Sequence, residues 1–284
     1  MRFKFNKYQG SGNDFIVFDT LSAIETETCR ALTPVLCERH AGIGADGVLL
    51  LGGTTPSDLT MRVINADGSE PEMCGNGLRC ALRHWARQGV IEIGQAFSVL
   101  TGAGPRIGQV DVSGAIHLWM GVPGFQRSQI PATGPGREEF RTQKLAIDTQ
   151  EITVSALSMG NPHLVAFVDD IASIPLSAWG PALESSPYFP ERINVEFAQV
   201  QSSSEVSMRV WERGSGLTRA CGTGACAVAV TGIREGSLQS PVTVHMPGGS
   251  VQVEWSEGSE VRLSGPAVHV FAGEFDIADF HPPS

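Results

Sequence analysis

The sequence predicts an α+β fold made of two pseudo-symmetric domains, each with antiparallel strands wrapped around one central helix. Three observations lead to this prediction. The chain contains an internal repeat, each copy is rich in short strand-like runs, and each copy carries a helix behind a Cys-Gly-x-Gly loop. With 284 residues, the chain is long enough for two domains of ordinary size.

The internal repeat is visible in two pairs of segments. MRVINADGSEPEMCGNG from Met61 and MRVWERGSGLTRACGTG from Met208 share six of seventeen residues without a gap, at an offset of 147. GNDFIVFD from Gly12 and GNPHLVAFVDD from Gly160 both place an apolar run after Gly-Asn, at an offset of 148. Two matches at nearly the same offset indicate a duplicated unit. The break between the copies is expected in the glycine- and proline-rich stretch 121–136.

Alternation of apolar residues predicts the strands. In chain order they are FIVFD, GVLLL, LTMRVIN, HLVAFVDD, VSMRVWE, VTVHM, SVQVEW, EVRLSG and VHVFAGEF. One helix is expected from Glu27 to His40. A further helix follows each Cys-Gly-x-Gly loop, from Gly77 to Gln88 and from Thr223 to Glu235, and a glycine stands just beyond each end. The last of these helices is apolar nearly all round, which predicts burial on every side.

Composition and charge exclude several classes of protein. The net charge of -10 and the absence of a basic run argue against nucleic-acid binding, because phosphate contacts dominate that affinity. We find no signal-peptide pattern and no apolar run long enough to cross a bilayer, so we expect a cytoplasmic protein with reduced thiols and no membrane partner. The cysteines form no C-x-x-C pair, so neither a disulfide framework nor a metal site is expected; they are Cys29, Cys37, Cys74, Cys80, Cys221 and Cys226.

Cys74 and Cys221 each stand at the start of a predicted helix, directly before a glycine. The glycine lets the backbone approach a ligand closely, and the helix start presents unsatisfied N–H groups and a positive dipole end. Such a loop suits an anion such as a carboxylate, and it favours the thiolate form of a cysteine. The alternative interpretation, a cysteine buried in the core, suits the other four cysteines better than these two.

Two such loops, related by a pseudo-twofold axis, would bring two thiols to opposite faces of one carboxylate-bearing substrate. That arrangement favours inversion of a carbon that bears hydrogen, since one group removes a proton and the other delivers one.

These segments are similar to the diaminopimelate epimerase family over nearly the whole chain. The matching segments are KYQGSGNDFIVFD, RHAGIGADGVLLL, INADGSEPEMCGNGLRC, MGNPHLVAFVDD, RINVEFAQV and WERGSGLTRACGTGACA. The resemblance implies a cofactor-independent isomerase that interconverts LL- and meso-2,6-diaminopimelate, in lysine biosynthesis and cell-wall precursor supply. It also implies a homodimer.

The resemblance assigns roles to particular residues. Cys74 and Cys221 match the catalytic cysteines, and His163 matches a histidine that assists proton handling. Substrate-binding residues are implied at Asn13, Asn65, Gly75, Asn76, Asn161, Asn194, Glu212, Arg213, Gly222 and Thr223. An arginine fits a distal carboxylate, and a glutamate accepts from an ammonium group.

The resemblance also implies that the last strands return to the first domain. The expected domains are therefore 1–121 with the tail 268–284, and 122–267.

One position departs from the family pattern. Gly47 follows Asp46 where a glutamine is common, which puts one polar contact near the site in doubt. The same GIGADG stretch matches the G-x-G-x-x-G pattern of a dinucleotide loop, but its glycines precede the apolar run instead of following a strand. We therefore expect no nucleotide site.

Three alternatives remain open from the sequence. The first is a related two-cysteine racemase that acts on another amino acid, such as histidine or a proline-like compound, although proline-racemase-like proteins typically have histidine where Asn76 stands. The second is an amino-acid-binding protein with inert cysteines, which alkylation by an α-carbon electrophile would reveal. The third is a racemase that uses pyridoxal phosphate, which Schiff-base absorbance would reveal.

Overall fold

The structure is a computed structural model that describes residues 2–19 and 22–280. The chain divides into two compact units. The first comprises the described residues up to Leu118 and those from Gly265 onward, and the second comprises Trp119–Ser264. The domain limits expected from the sequence, 121/122 and 267/268, lie close to these positions.

The first unit begins with alternating strands and helices. Its elements in chain order are β1 (Arg2–Gly10), β2 (Asn13–Asp19), α1 (Ala23–Cys37), β3 (Gly47–Gly52), β4 (Thr60–Asn65), α2 (Gly75–Gln88), β5 (Ala96–Thr101), β6 (Gly104–Val110) and β7 (Ile116–Trp119).

The second unit has a similar order, with one more strand before each of its two helices. It contains β8 (Gln143–Ile147), β9 (Gln150–Ser158), β10 (Pro162–Phe167), α3 (Leu176–Glu184), β11 (Asn194–Ser202), β12 (Glu205–Glu212), β13 (Gly216–Thr218), α4 (Gly222–Glu235), β14 (Val242–Met246), β15 (Gly249–Glu254) and β16 (Arg262–Gly265). The chain then returns to the first unit as β17 (Val268–Asp276), which pairs antiparallel with β1.

The strand pairing is mixed, which corrects the expectation of purely antiparallel strands. In the first unit β2 pairs parallel with β3 after the crossover through α1, and in the second unit β10 pairs parallel with β11 after the crossover through α3. A parallel pair needs such a crossover, and a helix supplies it. Neighbouring pairs such as β1 with β2, β3 with β4 and β11 with β12 are antiparallel.

Each unit is built around one central helix, as predicted. In the first unit α2 packs against β1, β2, β3, β4, β6 and β17. In the second unit α4 packs against β9, β10, β11, β12, β14 and β15, and its stretch from Ala225 to Gly232 is buried. The predicted α+β class and the burial of the last helix are therefore confirmed.

A second layer in each unit lies on the outer face of the sheet. In the first unit Leu32 and Leu36 of α1 pack with Phe18 and Ile64 in one apolar cluster. In the second unit Trp179 and Leu183 of α3 join a corresponding cluster. Among the described helices, none has the length and apolar character needed to span a membrane.

Candidate active site

Cys74 is the N-cap residue of the central helix α2. Its backbone is extended (φ -139°, ψ 113°), and its Sγ accepts a hydrogen bond from the Gly77 N–H at 3.4 Å. A side chain in this position satisfies one of the helix's orphan donors, a task that serine, threonine or aspartate usually performs. The sulfur therefore lies at the positive end of the helix dipole.

Cys221 is placed in the same way at the start of α4. Its backbone has nearly the same conformation (φ -131°, ψ 114°), and its Sγ accepts from the Gly224 N–H at 3.4 Å. Each unit thus presents its sulfur at the N-terminus of its own central helix. The two helices also end alike, with Gly89 (φ 72°) and Gly236 (φ 78°) in the left-handed conformation.

The two sulfurs differ in their exposure. Cys74 is half-buried, whereas Cys221 is 5% exposed. Burial raises the pKa of the Cys221 thiol well above its ordinary value, and the nearby carboxylates of Glu212 and Glu196 raise it further, while hydrogen bonds from Thr223 and Gly224 oppose the rise. The surroundings of Cys221 therefore favour the thiol over the thiolate.

Of the predicted residues of the first unit, Asn13 and Asn76 lie beside Cys74, and Asn65 and Gly75 are placed by the ends of β4 and α2. Asn13 Oδ1 lies 3.8 Å from Cys74 Sγ and accepts from Asn76 Nδ2 at 3.3 Å. Asn13 Nδ2 in turn donates to Asp46 Oδ2 at 2.9 Å. Asn65 lies at the end of β4, where its Nδ2 donates to Ser69 Oγ at 2.9 Å. Gly75 is the first residue of α2.

In the second unit a similar group surrounds Cys221. Thr223 Oγ1 lies 3.5 Å from Cys221 Sγ and accepts from Asn161 Nδ2 at 3.4 Å. Asn161 Oδ1 lies 3.0 Å from His163 Nε2, and His163 is fully buried. Gly222 is the first residue of α4 and is also buried.

The remaining predicted residues lie where β11 begins and β12 ends. Asn194 is buried and holds two backbone groups, because its Nδ2 donates to the Pro162 carbonyl at 2.8 Å and its Oδ1 accepts from the Arg213 N–H at 2.9 Å. The Arg213 side chain is exposed and donates to the Glu191 carbonyl at 3.2 Å. Glu212 is half-buried and accepts from Thr218 Oγ1 at 2.5 Å.

Sequence reasoning missed two fully buried polar residues next to these groups. Arg79 of α2 donates to Asn76 Oδ1 at 2.9 Å and to Ser11 Oγ at 3.0 Å, and so it holds the start of the helix against the loop before β2. Glu196 of β11 lies 2.7 Å from His163 Nδ1 through its Oε1. Arg79 stands in the quoted GNGLRC motif and Glu196 in RINVEF, so a polar residue within an otherwise apolar, buried segment was the available signal.

Within the described residues, no cluster of three or more histidine, cysteine or acidic side chains is arranged to hold a metal ion.

Comparison with known proteins identifies relatives over the whole chain. The family model described as diaminopimelate epimerase matches residues 5–125 and 155–270. A diaminopimelate epimerase of Microcystis aeruginosa is 44% identical over 98% of this chain and 100% of its own length. Another, of Heliobacterium modesticaldum, is 43% identical over 96% of this chain and 100% of its own length.

Solved structures share the fold at much lower identity. A PhzF-family phenazine biosynthesis protein of Bacillus anthracis matches with a TM-score of 0.68 and 15% identity, covering 98% of this chain and 100% of its own. A hydroxyproline epimerase of Agrobacterium vitis matches with a TM-score of 0.67 and 16% identity, covering 96% and 92%. These matches establish the fold, and the full-length relatives together with the family model show that this chain belongs to the diaminopimelate epimerase family.

Proposed function

We propose that this chain is an isomerase that interconverts LL- and meso-2,6-diaminopimelate, with Cys74 and Cys221 as its two acid–base groups. The observation that carries the proposal is the paired geometry, in which each cysteine caps the central helix of its unit and accepts from an N–H group of the first turn. Membership of the family supports the choice of substrate.

The proposed chemistry follows from what each helix start can do. One thiolate removes the α-proton while the other thiol delivers a proton to the opposite face, so the carbon leaves with inverted configuration. Negative charge that develops on the α-carbon spreads onto its carboxylate, and the N–H groups at the starts of α2 and α4 suit that anion. Because burial and the neighbouring carboxylates favour the thiol form of Cys221, we assign it as the first acid and Cys74 as the first base.

The other predicted residues complete the proposal. Arg213 is assigned to the distal carboxylate of the substrate and Glu212 to an ammonium group, since their chemistry fits these charges. Asn13, Asn76, Asn161 and Thr223 are assigned to the α-carboxylate and to the placement of the two sulfurs, which their contacts support. Asn65 and Asn194 are assigned to the edges of the substrate site.

The proposal also includes action without pyridoxal phosphate, a homodimeric state and a cytoplasmic location. The lysines offer some support for the first, because Lys7 is held by Asp14 at 2.7 Å and Lys144 pairs with Glu151 at the surface. The homodimeric state is expected from the family resemblance, and the cytoplasmic location is expected from the sequence.

Deuterium incorporation tests the proposal directly. Purified protein is incubated with LL-diaminopimelate in heavy water under reducing conditions, and mass and stereochemistry are read together. We expect conversion to the meso isomer with deuterium at the α-carbon, and a loss of about 10²- to 10⁴-fold in Cys74→Ala and in Cys221→Ala.

The chain offers matched controls for this experiment. Cys80 and Cys226 lie on the same two central helices and are buried, so Cys80→Ala and Cys226→Ala remove a thiol from each helix without touching its cap. Both should keep most of the activity. If the wild-type protein leaves diaminopimelate unchanged but exchanges the α-hydrogen of another amino acid, the substrate assignment is wrong and the related-racemase alternative is correct.

A further inference from the structure

The two units differ in one buried pair of residues beside their capping cysteines. In the second unit the parallel pairing of β10 with β11 sets His163 opposite Asn194, and in the first unit the pairing of β2 with β3 sets Phe15 opposite Gly47. His163 thus corresponds to Phe15. Two residues further along β11 and β3, Glu196 corresponds to Leu49.

The glycines of the two capping loops confirm this correspondence. A Cβ on Gly77 would meet Leu49 Cδ2 at 3.0 Å, and a Cβ on Gly224 would meet Glu196 Oε1 at 2.8 Å. The first unit therefore packs an apolar leucine against the first turn of its central helix, where the second unit packs a carboxyl group. All four side chains of the two pairs are at most 2% exposed.

A continuous series of polar contacts runs from this carboxyl group to the second cysteine. Glu196 Oε1 lies 2.7 Å from His163 Nδ1, and His163 Nε2 lies 3.0 Å from Asn161 Oδ1. Asn161 Nδ2 donates to Thr223 Oγ1 at 3.4 Å, and Thr223 Oγ1 lies 3.5 Å from Cys221 Sγ. All five residues belong to the second unit.

The direction of these hydrogen bonds is set by the contact between Asn161 and His163. Asn161 Oδ1 is an acceptor, so the His163 nitrogen that faces it, Nε2, must carry a hydrogen. The other nitrogen, Nδ1, then shares one proton with Glu196 Oε1. Thr223 Oγ1 accepts from Asn161 Nδ2 and keeps its own hydrogen free to donate to the sulfur of Cys221. With the hydroxyl hydrogen on that side, every donor beyond His163 points toward Cys221.

We propose that Glu196 is a positioning residue for Cys221, acting through His163, Asn161 and Thr223 to direct a hydrogen-bond donor at that sulfur. The first unit has no counterpart of this series, since Phe15 and Leu49 cannot hydrogen-bond. A donor at the sulfur stabilises the thiolate that Cys221 must become after it has delivered its proton. Only this step, the formation of a Cys221 thiolate during turnover, rests on the proposed function.

The placement of Glu196 supports this role. Its Oε2 is buried and has no hydrogen-bond partner among the described residues, so its single partnered oxygen is committed to His163. An unpartnered buried carboxyl oxygen is costly, and a leucine would fill the same place at no such cost, as Leu49 does in the first unit.

Two substitutions separate hydrogen bonding from packing. Glu196→Leu copies the first unit and removes the partner of His163 Nδ1. Glu196→Gln keeps the shape and can present its amide NH₂ to Nδ1, which leaves the hydrogen on Nε2 and preserves the direction of the series. If Glu196 served packing alone, leucine and glutamine would replace it equally well. Asp19→Asn is the matched control, because Asp19 holds the buried His84 at 2.7 Å in the first unit, away from both cysteines.

The first readout is the reactivity of the two thiols within one molecule. The ligand-free protein is treated with iodoacetamide at one fixed pH, and modification of Cys74 and Cys221 is followed separately by peptide mass. Both Glu196 variants remove the carboxylate that itself raises the pKa of the Cys221 thiol, so they are compared with each other. We expect the rate at Cys221 relative to Cys74 to be about tenfold lower in Glu196→Leu than in Glu196→Gln. In Asp19→Asn we expect it to stay within about threefold of the wild type. The rate at Cys74 corrects for any general loosening of the protein.

The second readout is epimerisation. In Glu196→Leu we expect kcat to fall by about 10- to 100-fold with KM nearly unchanged, since a displaced reacting group costs about that much, and Glu196→Gln should recover most of the loss. If Glu196→Leu does not fold, the double variant His163→Phe with Glu196→Leu repeats the buried pair of the first unit and leaves neither a carboxyl group nor an imidazole buried without its partner.

Equal Cys221 to Cys74 ratios in Glu196→Gln, Glu196→Leu and the double variant, or an equal loss of kcat in the Leu and Gln variants, would overturn the proposal. If the wild-type protein does not act on diaminopimelate, the alkylation ratio still decides the role of Glu196, so the two proposals fail separately.

Discussion

A cysteine at a helix N-cap experiences two opposing effects. The N–H groups and the dipole of the helix favour the thiolate, whereas burial away from water favours the thiol. At Cys221 burial prevails, because the side chain is 5% exposed and the neighbouring carboxyl groups of Glu196 and Glu212 also favour the thiol. Cys74 is half-buried, and its sulfur lies 3.8 Å from Asn13 Oδ1, which also accepts from Asn76. The duplicated loops thus place chemically different thiols on equivalent scaffolds.

The same difference predicts that replacing Gly224 with alanine lowers stability more than replacing Gly77. In Gly224→Ala the new Cβ would lie 2.8 Å from Glu196 Oε1 and 3.3 Å from its Cγ, and this fully buried side chain cannot move away. In Gly77→Ala the nearest atom is Leu49 Cδ2, a terminal methyl group that can shift, at 3.0 Å. We expect Gly224→Ala to lower the free energy of unfolding by about 1–3 kcal/mol and Gly77→Ala by less than about 1 kcal/mol.

Urea denaturation of both variants measures this difference. Equal urea midpoints for the two alanine variants would mean that the Glu196 carboxyl group moves aside as easily as the Leu49 methyl group.

At the scale of elements, the central helices could be predicted and the peripheral ones less well. The sequence marks α2 and α4 by a glycine loop at one end and a glycine just beyond the other, and these predictions are confirmed within two residues. For α1 the predicted range, 27–40, starts too late, since Ser22 and Glu25 form a capping box at its start. The S-x-x-E pattern that signals this box is present in the sequence.

The α3 helix was not predicted. It is nine residues long, has Pro181 inside it and shows no capping side chain, so local signals are weak. Its stability comes from packing, as the contact of Gly180 with the Trp211 ring shows. Similarly, the approach of Glu196 to the start of α4 depends on parallel strand pairing across the sheet. Contacts between residues far apart in sequence carry no local signal, which is why the site's cysteines were predictable and the contact of Glu196 with His163 was not.

An ion cluster joins β1, β2 and the segment after α1 in the first unit and makes their packing pH-dependent. Asp14 of β2 lies 2.7 Å from Lys7 of β1 and 2.8 Å from Arg39, which follows α1. Burial alone would raise the pKa of Asp14, but the hydrogen bonds and charges of Arg39 and Lys7 outweigh it and lower the pKa from 3.8 to about 2. The charged form of Asp14 is therefore favoured by folding.

The predicted effect of Asp14→Asn follows from this shift. Because the folded pKa lies below the unfolded one, the stabilisation is complete above about pH 4 and disappears as the pH falls toward about 2. At neutral pH we expect Asp14→Asn to lower the free energy of unfolding by about 2 kcal/mol, from nearly two pKa units.

The measurement is urea denaturation of wild type and variant from neutral to acid pH. Glu151→Gln, which breaks the exposed pair with Lys144, is the control and should change little at any pH. A difference between wild type and Asp14→Asn that does not shrink toward low pH would contradict the assignment.

At the scale of the whole chain, the first unit is built from both ends of the sequence. The strand β17 pairs with β1 in a register that sets Phe275 opposite Phe3, after the chain has passed through the entire second unit. Phe275 stacks on Phe3 with ring centroids 5.5 Å apart and also contacts Phe18 at 6.2 Å and Phe280 at 5.1 Å. The first unit therefore cannot complete its core until the last strand is in place.

This organisation predicts that damage to the last strand is felt in the first unit and not in the second. Phe275→Ala removes the ring that joins β17 to the apolar cluster under α1, and we expect a loss of about 2 kcal/mol, somewhat below the cost for a fully buried ring. Hydrogen exchange read by mass spectrometry should show faster exchange in β1, β2 and α1, with β10 to β12 unchanged. Phe271→Ala is the control on the same strand, because its ring is 45% exposed and its loss should cost less. Faster exchange in both units to the same extent would show that the chain unfolds as one cooperative body, so that the returning strand stabilises the whole molecule and not the first unit alone.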